Sequence, residues 1–193
     1  MKKERSVCIK IVEKKYDMRK VVVFIAMSLD GYVADVRGGI SWLCGDGSDP
    51  ENMGTYPKFI ETVDTIIMGF STYDQITSVL SPDQWPYKDQ TTYVMTRREM
   101  SSRMGVVMVN GSLHGLISRL KTDLGKDIWI CGGARIINQL VQLDLIDRYH
   151  ISVIPIILGD GLPLFDKREN SLSLKLVSTA KYNGIVDLVY ERE

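Results

Sequence analysis

Hydrophobic positions along the chain fall into two kinds of run. Val21–Met27 (VVVFIAM) is continuously apolar and rich in β-branched residues, the pattern of a strand covered on both faces. Thr65–Met68, Thr91–Thr96, Val106–Val109 and Asp127–Cys131 are shorter strand runs. Between them the apolar positions repeat every three to four residues, as one face of a helix requires. Phe59, Ile60 and Val63 do so within Tyr56–Val63. Tyr73, Ile76, Val79 and Leu80 do so within Ser71–Leu80, which Ser81-Pro82 ends. Leu113, Leu116, Ile117, Leu120 and Leu124 form a third stripe closed by Gly125, and Ile136, Ile137, Leu140 and Val141 a fourth. Strand and helix alternate, so a mainly parallel sheet with helices on both faces is expected.

The C-terminal third changes character. Arg148–Leu158, Leu172–Thr179 and Ile185–Glu191 read as strands with no helix between them, and Tyr182-Asn183-Gly184 is a turn signal. Antiparallel strands joined to the parallel sheet follow. Pro155 has no N–H for a ladder, which predicts an edge or a bulge there. The predicted fold is thus three-layer α/β/α, with a mostly parallel central sheet and antiparallel C-terminal strands. Asp35–Gly54 is polar, glycine-rich and long for a loop, as functional loops are.

The chain has no internal repeat. Residues 18–193 are read as one domain, and Met1–Asp17, which is charged, as an N-terminal extension or flexible tail. An amphipathic strand at Val7–Val12 is the competing reading of that segment.

Composition narrows the partners. At 193 residues the chain suits one domain with a sizeable core. Lys plus Arg equals Asp plus Glu at 24 each, so the chain lacks the basic excess that nucleic acid attracts. Cys8, Cys44 and Cys131 are far apart and form no CxxC pair. That argues against a disulfide framework or zinc site and for a reducing, cytoplasmic setting. The longest apolar runs are too short to cross a bilayer, and the N-terminus lacks the apolar core of a signal peptide. The two histidines, His114 and His150, are read as helix and strand residues, with no metal site expected. Cys131 and Trp129 read as core.

In a parallel sheet, ligands bind beyond the carboxyl ends of the strands. Four such ends carry suggestive residues: Ala26–Gly31, Met68–Tyr73, Thr96–Arg98 and Cys131–Ala134. Two of them run straight into a helix, whose free N–H groups and partial positive charge suit a phosphate. Glycine there lets a ligand approach the backbone. Neither site matches GxGxxG or GxxxxGK[ST], which disfavours Rossmann and P-loop readings.

The order and spacing of several segments are recognisable: SLDGYVA (Ser28–Ala34), ISWL (Ile40–Leu43), MGFSTYDQI (Met68–Ile76), YVMTRR (Tyr93–Arg98), ICGGARIINQLVQLDLID (Ile130–Asp147) and VIPIILGDGLPLF (Val153–Phe165). From Met18 onward the chain resembles the dihydrofolate-reductase-like superfamily. Within it, the chain is most similar to stand-alone relatives of the reductase (C-terminal) domain of the bifunctional riboflavin-biosynthesis deaminase/reductase. The resemblance implies a cytoplasmic, NADPH-dependent oxidoreductase acting on a small-molecule substrate, often as a homodimer. It implies Ala26 and the Ser28–Gly31 turn at the nicotinamide end, and Gly69, Ser71 and Thr72 at the pyrophosphate. It implies Thr96 and Arg97 at the adenosine ribose and its 2′-phosphate. Gly132, Gly133, Ala134 and Arg135 would form a second phosphate-facing turn, with the Gly-Gly bond often cis.

Two departures stand out against that family. Relatives usually carry Arg where Phe70 stands, and many carry Asp before the tryptophan, where this chain has Ser41 before Trp42. Dihydrofolate reductases use an acidic residue near the pterin. Asp30, Asp46, Asp49 and Glu51 are the candidates here by proximity in sequence, and Asp30 with Trp42 is the expected catalytic pair. The nearest named reaction is reduction of 5-amino-6-(5-phosphoribosylamino)uracil. The alternatives are a dihydrofolate or pterin reductase and a non-catalytic nucleotide-binding protein.

Overall fold

Val21 and Val23 point to one face of the central sheet and Val22 to the other, and each face has its own helical cover. The computed structural model describes residues 18–193; the expected extension and the candidate strand Val7–Val12 lie outside the described residues. In chain order the elements are β1 (Val21–Ser28), β2 (Tyr32–Ala34), α1 (Tyr56–Ile60), β3 (Val63–Gly69), α2 (Phe70–Gln75), β4 (Thr91–Met95), β5 (Val106–Val109) and α3 (Leu113–Thr122). β6 (Asp127–Gly132), α4 (Ala134–Gln142), β7 (Arg148–Ile154), β8 (Leu162–Pro163), β9 (Leu174–Tyr182) and β10 (Ile185–Arg192) follow.

Eight strands form one sheet in the order β5-β4-β3-β6-β1-β7-β10-β9, and β2 with β8 forms a small separate ribbon. Pairing is parallel from β5 through β7 and antiparallel where β10 meets β7 and β9. The expected three-layer α/β architecture is therefore what the chain adopts. On one face Ile67, Ile128 and Ile130 meet the stripes of α3 (Leu116, Ile117, Leu120) and α4 (Ile137, Leu140). On the other, Ile66, Met68 and Trp129 meet Phe59 of α1 and Tyr73 and Ile76 of the α2 segment. Burying each such aliphatic side chain contributes about 1.5–3 kcal/mol.

Three expectations need correction. Pro155 does not mark an edge: β7 is internal, between β1 and β10, and stops at Ile154. The missing N–H of Pro155 thus ends the ladder rather than thinning it. The helix after β3 is not one amphipathic helix to Leu80. After Gln75 it widens into a π-helical turn, Ile76–Leu80. The wider turn carries Val79 out of the buried stripe, leaving it 70% exposed. α3 likewise ends at Thr122, because Asp123 is extended, and Leu124 is 79% exposed.

The 35–54 segment has neither helix nor strand. It is pinned to the β9–β10 turn, where the Asp46 amide donates to the Asn183 carbonyl at 3.0 Å. Gly45 permits this, since a Cβ there would lie 2.0 Å from the same carbonyl oxygen. No described helix is long and apolar enough to cross a membrane.

Candidate functional site

β3 passes into α2 at Gly69-Phe70, and β6 passes into α4 through Gly132-Gly133. Both transitions lie at carboxyl ends of adjacent parallel strands, with Met68 paired to Gly132. The Gly132-Gly133 peptide is cis, and Gly132 has φ +136°, a conformation that side chains disfavour. A Cβ on Gly133 would lie 3.4 Å from Thr72 Oγ1, and one on Gly69 would lie 4.0 Å from the Gly133 nitrogen. The two glycine turns therefore face each other across a floor of bare backbone and one hydroxyl.

A cleft opens over this floor in two lobes. The inner lobe, about 590 Å³, is walled by Ile25, Val33, Ile40, Ile76, Tyr87 and Gly132, among others. The outer lobe, about 660 Å³, is walled by Gly69, Met95, Thr96, Arg97 and Arg135. Phe70, Ser71, Thr72, Arg98, Gly133 and Ala134 line both, so the lobes form one continuous groove. Of the residues expected at a cofactor, Gly69, Ser71, Thr72, Thr96, Arg97, Gly132, Gly133, Ala134 and Arg135 line this groove, whereas Ala26 and the Ser28–Gly31 turn do not. Ala26 instead packs with Trp42, Ile154 and Ile185. The first amides of α4, at Ala134 and Arg135, have no intrahelical acceptor and point positive charge into the groove.

The structure does not bring Asp30 and Trp42 onto either lobe. Asp30 ties the turn after β1 to the segment after β7. It accepts from Ser28 Oγ at 2.6 Å and from the amides of Gly159 and Leu158 at 2.7 and 3.1 Å. Foremost the Ser28 hydroxyl, and then those amides, hold its carboxyl below the usual carboxylate range despite some desolvation. Trp42 is buried and donates from Nε1 to the Gly39 carbonyl at 3.1 Å. Asp46, Asp49 and Glu51 are exposed and line neither lobe. The carboxylate on the inner lobe is Asp74.

Three features were not anticipated from the sequence. Arg98 carries its guanidinium 4.0 Å from the Phe70 ring centroid, at the junction of the lobes. Tyr87 and Cys131 close the inner lobe, with Tyr87 Oη 3.9 Å from Cys131 Sγ. Burial pushes the Cys131 thiol up to about 12 and raises the Tyr87 phenol, so both stay neutral at ordinary pH.

The third feature is a buried polar network behind the Ala26 row. Ala26 pairs with Ser152, which pairs with Asp187. Asp187, 1% exposed, accepts from Ser152 Oγ at 2.6 Å, Tyr182 Oη at 3.2 Å and the Thr55 hydroxyl. His150 Nε2 lies 2.8 Å from Thr55 Oγ1. Burial works against the Asp187 charge, but hydrogen bonds from His150, Ser152 and Thr55 outweigh it and hold the carboxyl below its ordinary value.

Among the described residues lining the groove there is no histidine, and its one thiol is held protonated. The groove suits chemistry supplied by a bound organic group. Two glycine turns, the Ser71 and Thr72 hydroxyls and the three guanidinium groups of Arg97, Arg98 and Arg135 are a donor set that fits a phosphate-bearing dinucleotide.

The model of the RibD C-terminal domain matches residues 19–186. The uncharacterized protein YwjB of Bacillus subtilis (strain 168) is 41% identical over 175 residues, spanning 90% of this chain and 98% of YwjB. A putative riboflavin biosynthesis protein from Shewanella sp. PV-4 superposes with a TM-score of 0.76 at 33% identity, covering 90% of this chain and 99% of its own. Dihydrofolate reductase from Enterococcus faecalis, solved with NADP(H), superposes with a TM-score of 0.61 at 17% identity, covering 90% and 96%. That last likeness bears on the fold, which is dihydrofolate-reductase-like.

Proposed function

The chain belongs to the RibD C-terminal domain family, and on that premise we propose that it is an NADPH-dependent reductase of a small heterocyclic or sugar-amine substrate. The nearest named reaction is reduction of 5-amino-6-(5-phosphoribosylamino)uracil. The observation that carries the reading is the single groove whose outer lobe gathers the guanidinium groups and whose inner lobe is more aliphatic, joined over Gly69 and Gly132-Gly133.

In this reading Thr72 Oγ1 and the first amides of α4 are the donors that would hold the pyrophosphate over the glycine floor. Arg97 and Arg135 would hold the adenosine end, where a guanidinium fork matches a 2′-phosphate. The bound reduced nicotinamide would supply a hydride to a C=N or open-chain sugar carbonyl, with the balancing proton drawn from water. Val33, Ile40 and Ile76 exclude bulk water and orient the acceptor, which lowers the entropic part of the barrier.

Calorimetric titration with NADPH tests the cofactor assignment. Saturable one-to-one binding that weakens as salt rises is expected, and an absence of binding would remove the reading. The protein is further proposed to act as a cytoplasmic homodimer.

A further inference from the structure

We propose that the Tyr87 phenol orients the substrate in the inner lobe by donating a hydrogen bond to an uncharged carbonyl or imine acceptor on it; this rests on the reductase reading above and names a residue of its substrate site. Tyr87 lines the inner lobe and not the outer one. Trp129 and Cys131 lie two positions apart on β6 and pack in the same cluster as Tyr87. The phenol ring stands edge-on to Trp129, with centroids 5.4 Å apart and planes at 85°. It stands edge-on to Trp85 as well, at 5.3 Å and 86°. This clamp fixes the phenol at the carboxyl end of β6, beside the residue that precedes the Gly132-Gly133 turn.

Held there, the hydroxyl lacks a strong partner. Among the described residues its hydrogen-bonding neighbour is Cys131 Sγ at 3.9 Å, a weak acceptor at long range. A hydroxyl withdrawn from water without a good acceptor costs free energy, and a ligand that supplies one recovers it. Burial foremost raises the Tyr87 phenol, so the group keeps its proton and donates a hydrogen bond rather than the proton itself. Gln75, another neutral donor on this wall, is already engaged: its Nε2 donates to the Gly38 carbonyl at 3.3 Å. A neutral donor on a clamped ring suits a carbonyl oxygen or imine nitrogen that must be held in one orientation for hydride delivery.

The test compares Tyr87→Phe with the parent, both as full chains saturated with NADP+. The titrant in calorimetry is the ribitylamino-pyrimidine product, whose uracil ring carries carbonyl acceptors. Tyr87→Phe is expected to bind it about three- to tenfold more weakly. NADPH affinity should stay unchanged, and the urea midpoint of the ligand-free chain should not fall, because the hydroxyl has no strong partner to lose. Unchanged product affinity, product binding to neither protein, or an equal loss of NADPH affinity would overturn the proposal. A lowered ligand-free urea midpoint would overturn it too, since the hydroxyl would then serve the fold. Hydride transfer from NADPH to the matching ribosylamino substrate is measured separately in the parent. Its absence, with the Tyr87-dependent binding intact, would remove the reductase reading and leave the donor standing.

Discussion

The Arg98 guanidinium lies 4.0 Å from the centroid of the Phe70 ring. Parallel pairing of Gly69 with Met95 brings the two residues together at adjacent strand ends. The cation thus reaches the groove from the β4 side and is held there by the ring, a contact contributing about 0.5–1 kcal/mol. Phe70→Ala should accordingly weaken NADPH a few-fold by freeing Arg98, as measured by calorimetry.

Arg97 and Arg98 are expected to differ. Arg97 lines the outer lobe alone, whereas Arg98 lines both. A charged hydrogen bond contributes about 1.5–3 kcal/mol, or roughly ten- to a hundredfold in affinity. Arg97→Ala should weaken NADPH by that factor and leave NADH nearly unchanged, while Arg98→Ala should weaken both cofactors alike. Equal losses of NADPH and NADH in Arg97→Ala would show that Arg97 does not read the 2′-phosphate.

Gly133→Val should abolish cofactor binding in a folded protein. The first added carbon already reaches Thr72 Oγ1 at 3.4 Å, and the branches project over the floor where a phosphate would rest. Circular dichroism should match the parent while calorimetry shows no NADPH binding. Normal binding would refute the assignment of this turn.

Asp187 should matter for stability rather than for the groove. Asp187→Ala leaves four buried or half-buried donors without their acceptor and should cost about 3 kcal/mol in urea unfolding. Its native pKa lies below the ordinary 3.8. The stabilisation from its ionised form is therefore complete above that value and is lost as pH falls through the native one. The stability gap between parent and Asp187→Asn should shrink over that acidic range and stay level at neutral pH.

Much of the fold is legible in the sequence because buried strands and amphipathic stripes have distinct periods. β1 and the α4 stripe are clear examples. The groove is legible where glycine and hydroxyl residues meet a strand-to-helix junction. The π-helical turn at Ile76–Leu80 is not, since its apolar residues satisfy an α-helical spacing equally well. Neither is the Phe70–Arg98 contact, which joins residues that only the β3–β4 register makes neighbours. Asp187 did carry a signal: it is the one acid inside the apolar run IVDLVY, two residues from the buried Ile185 and so on the same face of the strand. Asp30 and Trp42 stood out through their motif, but Asp30 accepts hydrogen bonds from the segment after β7, and Trp42 donates within its own loop and packs on Ile154 and Ile185.

The proposed dimer has a physical motive as well. β9 is a nine-residue edge strand, and Leu176 and Val177 on it are about half exposed. Long open edges invite pairing, which a second copy would satisfy. Sedimentation at micromolar concentration should give twice the 21.8 kDa chain mass. A monomer throughout would remove the dimer.

The central claim is hydride transfer from NADPH within this groove. Its most direct test is steady oxidation of NADPH by the full chain, followed by loss of reduced-nicotinamide absorbance against a panel of ribosylamino-pyrimidines, pterins and aldehydes. The expected result is turnover with a ribosylamino-pyrimidine, faster with NADPH than with NADH and abolished by Gly133→Val. Tight NADPH binding with no oxidation across the whole panel would contradict it and leave a nucleotide-binding protein without catalysis.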